Sequence, residues 1–165
     1  MRSFVDWMKD PAKGFWVKDY WDPASGKMKT GGSKLVLQPH QERILEYALT
    51  MQPDGTFPHT RLLYSEIKKS GKTTLEAAIA CWYADEAPDG TEIYVISNDD
   101  DQSKKLVLND IKYHVAHEVP DAWITSGKIT YPNDTYIQSV AQDYASASGS
   151  RHALTLWDEL HGYKS

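Results

Sequence analysis

The sequence predicts an α/β protein in which helices cover both faces of a mostly parallel sheet. Short apolar runs typical of buried strands alternate with longer stretches whose apolar residues recur at helical spacing. The chain has 165 residues, 41% of them hydrophobic and 25% charged, which is ordinary for one globular domain. This composition argues against a wholly disordered chain.

The order of the elements follows from the apolar patterns along the chain. Helices are expected at residues 39–51, 73–84 and 99–117. Strands are expected at residues 61–65, 92–97 and 153–157, and a hairpin is expected to join residues 130–131 to 135–140. The last helix opens with acidic residues, as the positive end of a helix dipole prefers.

Residues 1–33 differ from the rest because aromatic side chains stand among prolines and glycines. Trp7, Phe15, Trp16, Tyr20 and Trp21 are among these aromatic residues. So many aromatic side chains are unusual in a free tail, so we expect a partly helical, partly irregular flap that packs on the domain. Residues 25–33, with three glycines, are the best linker candidate.

Charge and cysteine content narrow the setting of the protein. The net charge is −5, yet residues 1–72 hold 12 basic against 8 acidic residues, and residues 73–165 hold 6 against 15. An acidic chain disfavours general nucleic-acid binding, whereas its basic first half leaves room for a local phosphate site. Cys81 is the sole cysteine, and neither a membrane-length apolar run nor a signal-peptide pattern occurs. We therefore expect a reducing, intracellular compartment.

The segment from Ser65 to Thr74 has the context of a phosphate-binding loop. It follows an expected strand and opens an expected helix, and it contains the sequence Ser70-Gly71-Lys72-Thr73-Thr74. Backbone N–H groups at a helix start favour anions, Lys72 would reach the β- and γ-phosphates, and the Thr73 hydroxyl would bind Mg²⁺. The common pattern has glycine where this chain has Glu66, and Lys68 and Lys69 add two cations. A basic turn that caps a helix is the alternative.

The run Leu154-Thr155-Leu156-Trp157 ends in two acids, Asp158 and Glu159. In a P-loop ATPase, Asp158 would hold Mg²⁺ and Glu159 would activate the attacking water as general base. Acids also terminate ordinary strands, but here the two motifs come in the right order, about 85 residues apart. Together they predict a three-layer P-loop NTPase of the ASCE, RecA-like class that binds ATP and Mg²⁺.

Several segments in one order resemble the ATPase domain of the large terminase, the DNA-packaging motor of tailed bacteriophages. The resemblance covers residues 34–165. Its motifs are Leu37-x-Pro39-x-Gln41, the loop Lys68-Lys69-Ser70-Gly71-Lys72-Thr73, the strand 92–97 with Asn98 and Gln102, the turn at Gly149, and Asp158-Glu159-Leu160-His161. Gln41 corresponds to the family's adenine-side glutamine, although a solvent-facing position on an amphipathic helix is the alternative.

The resemblance implies an ATPase that moves double-stranded DNA into a procapsid, acting in the host cytoplasm. It also implies portal protein and small terminase as partners, and a homo-oligomeric ring in which a further cation completes the site. Lys68, Lys69 and Arg151 are the candidates for that cation. In the family, more ATPase sequence and a nuclease domain follow the acidic strand. We therefore expect this chain to be a partial ATPase domain without the nuclease.

Two other functions remain open at this point. Asp158-Glu159-Leu160-His161 also reads as a DExH box, which favours a helicase-like translocase. Such helicases usually have a glycine-rich phosphate loop and a second motor domain, and the chain shows neither. The second alternative is a catalytically silent nucleotide-binding module, which separate measurements of ATP binding and ATP turnover would distinguish.

Overall fold

The computed structural model describes residues 1–22, 25–67, 70–97, 101–140 and 153–158. The chain divides into two compact units, residues 1–72 and residues 73–165. This division falls at the same place as the change from basic to acidic composition. The predicted boundary between residues 33 and 34 stays a prediction.

The first unit combines two helices with two short strand pairs. Its elements are α1 (Phe4–Lys9), β1 (Trp16–Val17), β2 (Tyr20–Asp22), β3 (Lys27–Lys29), β4 (Ser33–Lys34) and α2 (Pro39–Ala48). Strands β1 and β4 pair antiparallel, as do β2 and β3. Helix α1 is capped by the Ser3 hydroxyl, which accepts a hydrogen bond from the Asp6 backbone N–H. It packs against α2 and buries Phe4 and Trp7.

Helix α2 confirms the helix predicted from residue 39. Pro39 occupies the first turn, where a missing N–H costs nothing. Gln41, Leu45 and Ala48 form the buried side of α2, at the spacing of one helix face. The helix ends at Ala48, three residues before the predicted end.

The strand predicted at residues 61–65 is wrong. These residues form no strand, and Leu62 and Leu63 are exposed. A strand requires a neighbour that takes its backbone hydrogen bonds, and no described residue pairs with this segment. The apolar run therefore indicated burial that the fold does not provide.

The second unit is a five-stranded mixed sheet with two long helices. Its elements are α3 (Lys72–Glu86, of which Lys72 belongs to the first unit), β5 (Glu92–Ser97), α4 (Asp101–Glu118), β6 (Trp123–Ile124), β7 (Lys128–Thr130), β8 (Tyr136–Val140) and β9 (Leu154–Asp158). The strand order is β6-β7-β8-β5-β9. The predicted α/β class is confirmed in this general sense.

Strand β5 is the centre of the sheet and pairs parallel with β8 and with β9. Its residues Ile93, Val95 and Ile96 are at most 4% exposed, as expected for a strand covered on both faces. Strands β6, β7 and β8 pair antiparallel. The sheet is thus parallel at its core but mixed as a whole, because the predicted hairpin forms and adds antiparallel strands at one side.

The two long helices supply much of the remaining core. Helix α3 buries Leu75, Ala77, Ala78, Ala80, Cys81, Trp82 and Ala84. Helix α4 contacts β5 and buries Val107, Leu108, Ile111, His114 and Val115. Within the described part of the chain, no helix is long and apolar enough to cross a lipid bilayer.

Candidate functional site

The loop before α3 is shaped by one residue in the left-handed region. Gly71 has φ +86°, a conformation that glycine adopts without a steric cost, and the next residue begins the helix. A helix that begins directly after such a turn presents unpaired backbone N–H groups, which favour an anion. Lys68 and Lys69 lie outside the described residues.

The Lys72 side chain folds back on its own loop. Its Nζ donates hydrogen bonds to the backbone carbonyls of Glu66 at 3.1 Å and Ile67 at 3.0 Å. The ammonium therefore binds backbone five and six residues before it in the sequence. The predicted phosphate-binding lysine is thus hydrogen-bonded to these two carbonyls.

Glu66, which stands where the common pattern has glycine, is held by its neighbours. Its carboxylate contacts the His40 Nε2 atom. Burial alone would raise the pKa of Glu66, but the hydrogen-bonded His40 and the neighbouring Tyr64 and Ser70 hydroxyls more than offset this, and the pKa lies at about 2. Burial raises the pKa of Tyr64 to about 12, and the Glu66 carboxylate raises it as well. Glu66 is therefore ionised and fixed at the start of the loop.

Gln41 is buried, so its alternative as a solvent-facing residue is wrong. Its Oε1 atom accepts a hydrogen bond from the Gln38 backbone N–H at 2.9 Å, which completes a capping box at the start of α2. Its side chain also faces Tyr64, whose pKa it lowers. The predicted adenine-side glutamine therefore has a structural role in this unit, and its nucleotide contact stays a prediction.

In the second unit, the two predicted magnesium ligands meet. The Thr73 hydroxyl donates a hydrogen bond to Asp158 Oδ2 at 3.5 Å, across 85 residues of sequence. Asp158 is the last residue of β9, lies opposite Ser97 in the parallel ladder, and is 8% exposed. Because parallel strands end at the same sheet edge, the fold delivers this carboxylate to the first turn of α3.

Thr74 points to a different partner. Its hydroxyl donates a hydrogen bond to Asp110 Oδ2 at 2.9 Å, which ties the start of α3 to α4. Burial raises the pKa of Asp110, and the Thr74 hydrogen bond partly offsets this. Any contribution of Thr74 to nucleotide binding therefore falls to its backbone N–H.

Glu76 is an acid on α3 whose unusual surroundings the sequence did not predict. It lies three residues after Thr73 on α3, and its Oε1 atom is buried with no hydrogen-bond partner among the described residues. Burial, together with a smaller contribution from the Asp158 charge, raises the pKa of Glu76 to about 8. The available signal was a lone acid in an otherwise apolar stretch, Leu75 to Ala80, at a helical spacing that faces Thr73.

The donor set of Thr73 and Asp158 suits a hard cation. Magnesium takes oxygen ligands, and usually one or two carboxylates together with substrate phosphates and water. In the described part of the chain, no three His, Cys, Asp or Glu side chains are placed so that they could hold a metal ion together. The pair of Thr73 and Asp158 therefore differs from an all-protein metal cage.

Several predicted site residues fall outside the described ranges. These are Lys68, Lys69, Arg151 and the expected general base Glu159. Their predicted roles remain predictions. Of the predicted residues that the structure describes, Thr73 and Asp158 are brought into contact, and Ser70, Gly71 and Lys72 belong to one loop.

Comparison with known proteins adds no relative. No protein-family model matches the chain, and no curated protein or solved structure matches it. Any function proposed for this chain must therefore be argued from its own residues, those before α3 and at the end of β9.

Proposed function

We propose that the chain is the ATPase part of a viral large terminase, which uses ATP hydrolysis to move double-stranded DNA into a procapsid. The observation that carries the proposal is the contact between Thr73, directly after the Gly-Lys pair, and Asp158 at the end of a parallel strand. A P-loop NTPase needs a hydroxyl after its loop lysine and a strand-end carboxylate at one cation. We also propose that the fold is the three-layer, RecA-like sandwich of P-loop NTPases.

The loop residues would bind the triphosphate. The Lys72 ammonium would exchange its carbonyl partners for β- and γ-phosphate oxygens, which form stronger, charge-assisted hydrogen bonds. The backbone N–H groups of the first turn of α3 would bind further phosphate oxygens, aided by the helix dipole. The left-handed Gly71 keeps a side chain away from that approach.

Thr73 and Asp158 would hold Mg²⁺, which neutralises charge on the phosphates when bound. Glu159, the residue after β9, would take a proton from the attacking water as general base. Glu66, which would lie near the phosphates, has its carboxylate in contact with His40 Nε2. The further cation of the site is Lys68, Lys69 or Arg151.

The proposal includes the setting implied by the resemblance. The nucleotide is ATP, the moved polymer is double-stranded DNA, and portal protein and small terminase are the partners in the host cytoplasm. Catalysis would take place in a homo-oligomeric ring. Stimulation of ATP turnover by double-stranded but not by single-stranded DNA would distinguish this function from that of a helicase-like translocase.

Nucleotide binding is the direct test. We expect Lys72→Ala to weaken binding of a fluorescent ATP analogue more than tenfold, because it removes the ammonium that would bind the β- and γ-phosphates. Lys27→Ala, which removes an exposed lysine of β3, is the matched control and should bind as the parent does. Equal affinity in the Lys72 variant and the parent would show that residues 66–74 are only a turn.

A further inference from the structure

Helix α2 has an apolar stripe that faces solvent. Ile44 and Tyr47 belong to it and are exposed, Tyr47 by 68%, whereas Leu45 is buried. The stripe lines a cavity of about 460 Å³ between residues 40–48 and residues 59–62, termed here the α2 groove. The groove is open to solvent, and its volume lies in the roughly 300–1,000 Å³ range of ligand pockets. Exposed apolar side chains gathered around a cavity are typical of an interaction surface.

The polar side chains that line the α2 groove include a cation but no acid. They are those of His40, Arg43 and His59, besides the Tyr47 hydroxyl. His40 already contacts the Glu66 carboxylate, whereas the exposed Arg43 forms no ion pair among the described residues. A guanidinium binds a carboxylate through two parallel hydrogen bonds and also attracts aromatic faces. The groove therefore suits an occupant that combines an aromatic side chain with a carboxylate.

The second unit exposes a segment of this chemistry. Trp123 is 74% exposed, more than any other tryptophan whose side chain is described. It forms β6 together with the exposed Ile124, at one edge of the five-stranded sheet. The exposed Asp121 stands two residues before Trp123. Residues 121–124, termed here the β6 knob, thus present to water the kind of aromatic side chain that protein interfaces bury.

We propose that the β6 knob of one copy of this chain binds in the α2 groove of a second copy. Trp123 would pack on the ring pair of Tyr47 and His59, whose centroids lie 5.3 Å apart, and Asp121 would pair with Arg43. The charge distribution favours this occupant, because residues 1–72 hold 12 basic against 8 acidic residues and residues 73–165 hold 6 against 15. Oppositely charged surfaces attract the groove of one copy to the knob of another.

The contact is head-to-tail, because the groove and the knob are different surfaces. A pair of copies therefore keeps one groove and one knob for further copies, and contacts of this type build rings or filaments. The inference rests on the proposed function for its purpose, since the proposed ring needs a subunit contact. The association itself is measured without nucleotide or DNA.

Sedimentation velocity of the whole chain, at concentrations up to about 1 mM, measures the association. We expect the parent to associate as its concentration rises, and Trp123→Ala and Arg43→Glu each to weaken this at least about tenfold, because a few central Trp and Arg side chains dominate such contacts. The controls are Leu106→Ala, an exposed apolar residue of α4, and Lys27→Glu, the same charge reversal on β3. Both controls should stay within about twofold of the parent.

A mixture of the two variants tests the head-to-tail geometry. Arg43→Glu keeps an intact knob and Trp123→Ala keeps an intact groove, so the mixture should form a dimer with about the parental affinity and nothing larger. A mixture that associates no more than each variant alone would overturn the inference.

Three other results would also overturn it: a parent that stays monomeric, which would mean that the groove takes a different partner, parental association in either variant, or an equal loss in the controls. Circular dichroism checks that each variant is folded. If Arg43→Glu or Trp123→Ala is unfolded, Tyr47→Ala in the groove or Asp121→Lys in the knob takes its place, and the same outcomes decide.

Titration of the parent and of Lys72→Ala with the fluorescent ATP analogue separates this inference from the proposed function. If nucleotide binding depends on Lys72 while the parent stays monomeric, only the inference about the knob and the groove fails. If association depends on Trp123 and Arg43 but no nucleotide binds, the proposed function fails and the contact between copies stands.

Discussion

The stability of the metal-free protein should fall as the pH rises toward 8, because of Glu76. Its pKa lies at about 8 in the folded chain, against an ordinary value of 4.5. Between these values the folded state keeps a proton that the unfolded state has lost. Stability that this proton provides is fully present below about pH 4.5 and is lost as the pH rises through about 8.

The size of the effect follows from the linkage relation. Each pH unit in this interval lowers the free energy of unfolding by about 1.4 kcal/mol for one proton. From about pH 5 to about pH 8, Glu76 alone should therefore remove up to about 4 kcal/mol. That is a large part of the roughly 5–15 kcal/mol that stabilises a typical domain.

Urea unfolding in the presence of a chelator, followed by tryptophan fluorescence, measures this at a series of pH values. Because Asp110 also has a raised pKa, the parent is compared with Glu76→Gln, which cannot titrate at that position. The stability of the variant relative to the parent should increase by up to about 4 kcal/mol across the interval. A difference that stays constant from about pH 5 to about pH 8 would refute the reasoning, because it would mean that Glu76 titrates alike in both states.

Three further predictions concern the chemistry, the loop and the core. Glu159→Gln should lower ATP turnover by roughly a hundredfold or more while ATP affinity stays within a few-fold, whereas Asp158→Asn should weaken the binding of Mg²⁺. Steady-state kinetics across Mg²⁺ concentrations checks both predictions. Turnover at the parental rate in Glu159→Gln would exclude Glu159 as the base. Gly71→Ala should lower the free energy of unfolding by about 1–2 kcal/mol, because φ is +86° there and no atom lies within 4 Å of the added carbon. Gly127→Ala, which is equally open but has no positive φ, is the control and should lower it little. Equal losses in urea unfolding of the two variants would contradict a backbone cause. Ile93→Ala, at the fully buried centre of β5, should cost about 2–5 kcal/mol, and a loss under about 1 kcal/mol would argue against that packing.

The elements that sequence reasoning predicted best are those whose pattern is local. Strand β5 has the predicted bounds, and β9 lies within one residue of them, because a continuous apolar run bounded by polar residues is typical of a buried parallel strand. The start of α3 was predictable for the same reason, since its turn glycine and its apolar spacing are adjacent in sequence.

The errors and omissions arise where the outcome depends on distant partners. The run at residues 61–65 has strand composition, but composition does not supply the neighbouring strand that a ladder needs. Glu66 contacts His40 26 positions away, and Thr74 contacts Asp110 36 positions away. The phosphate-loop motif that contains Glu66 and Thr74 does not predict either contact. The burial of Glu76 likewise depends on how α3 packs, which no single-sequence pattern encodes.

The hydrogen bonds from Lys72 to its own loop have a consequence for ligand discrimination. An anion that enters the loop must displace the carbonyls of Glu66 and Ile67, so the gain on binding is the difference between two sets of partners. A singly charged ion such as acetate brings only one negative charge to this ammonium, whereas a triphosphate would replace both carbonyls with charged oxygens and bring several charges. If the loop binds phosphate as proposed, weak anions would therefore bind poorly, and a ligand with several negative charges would be favoured.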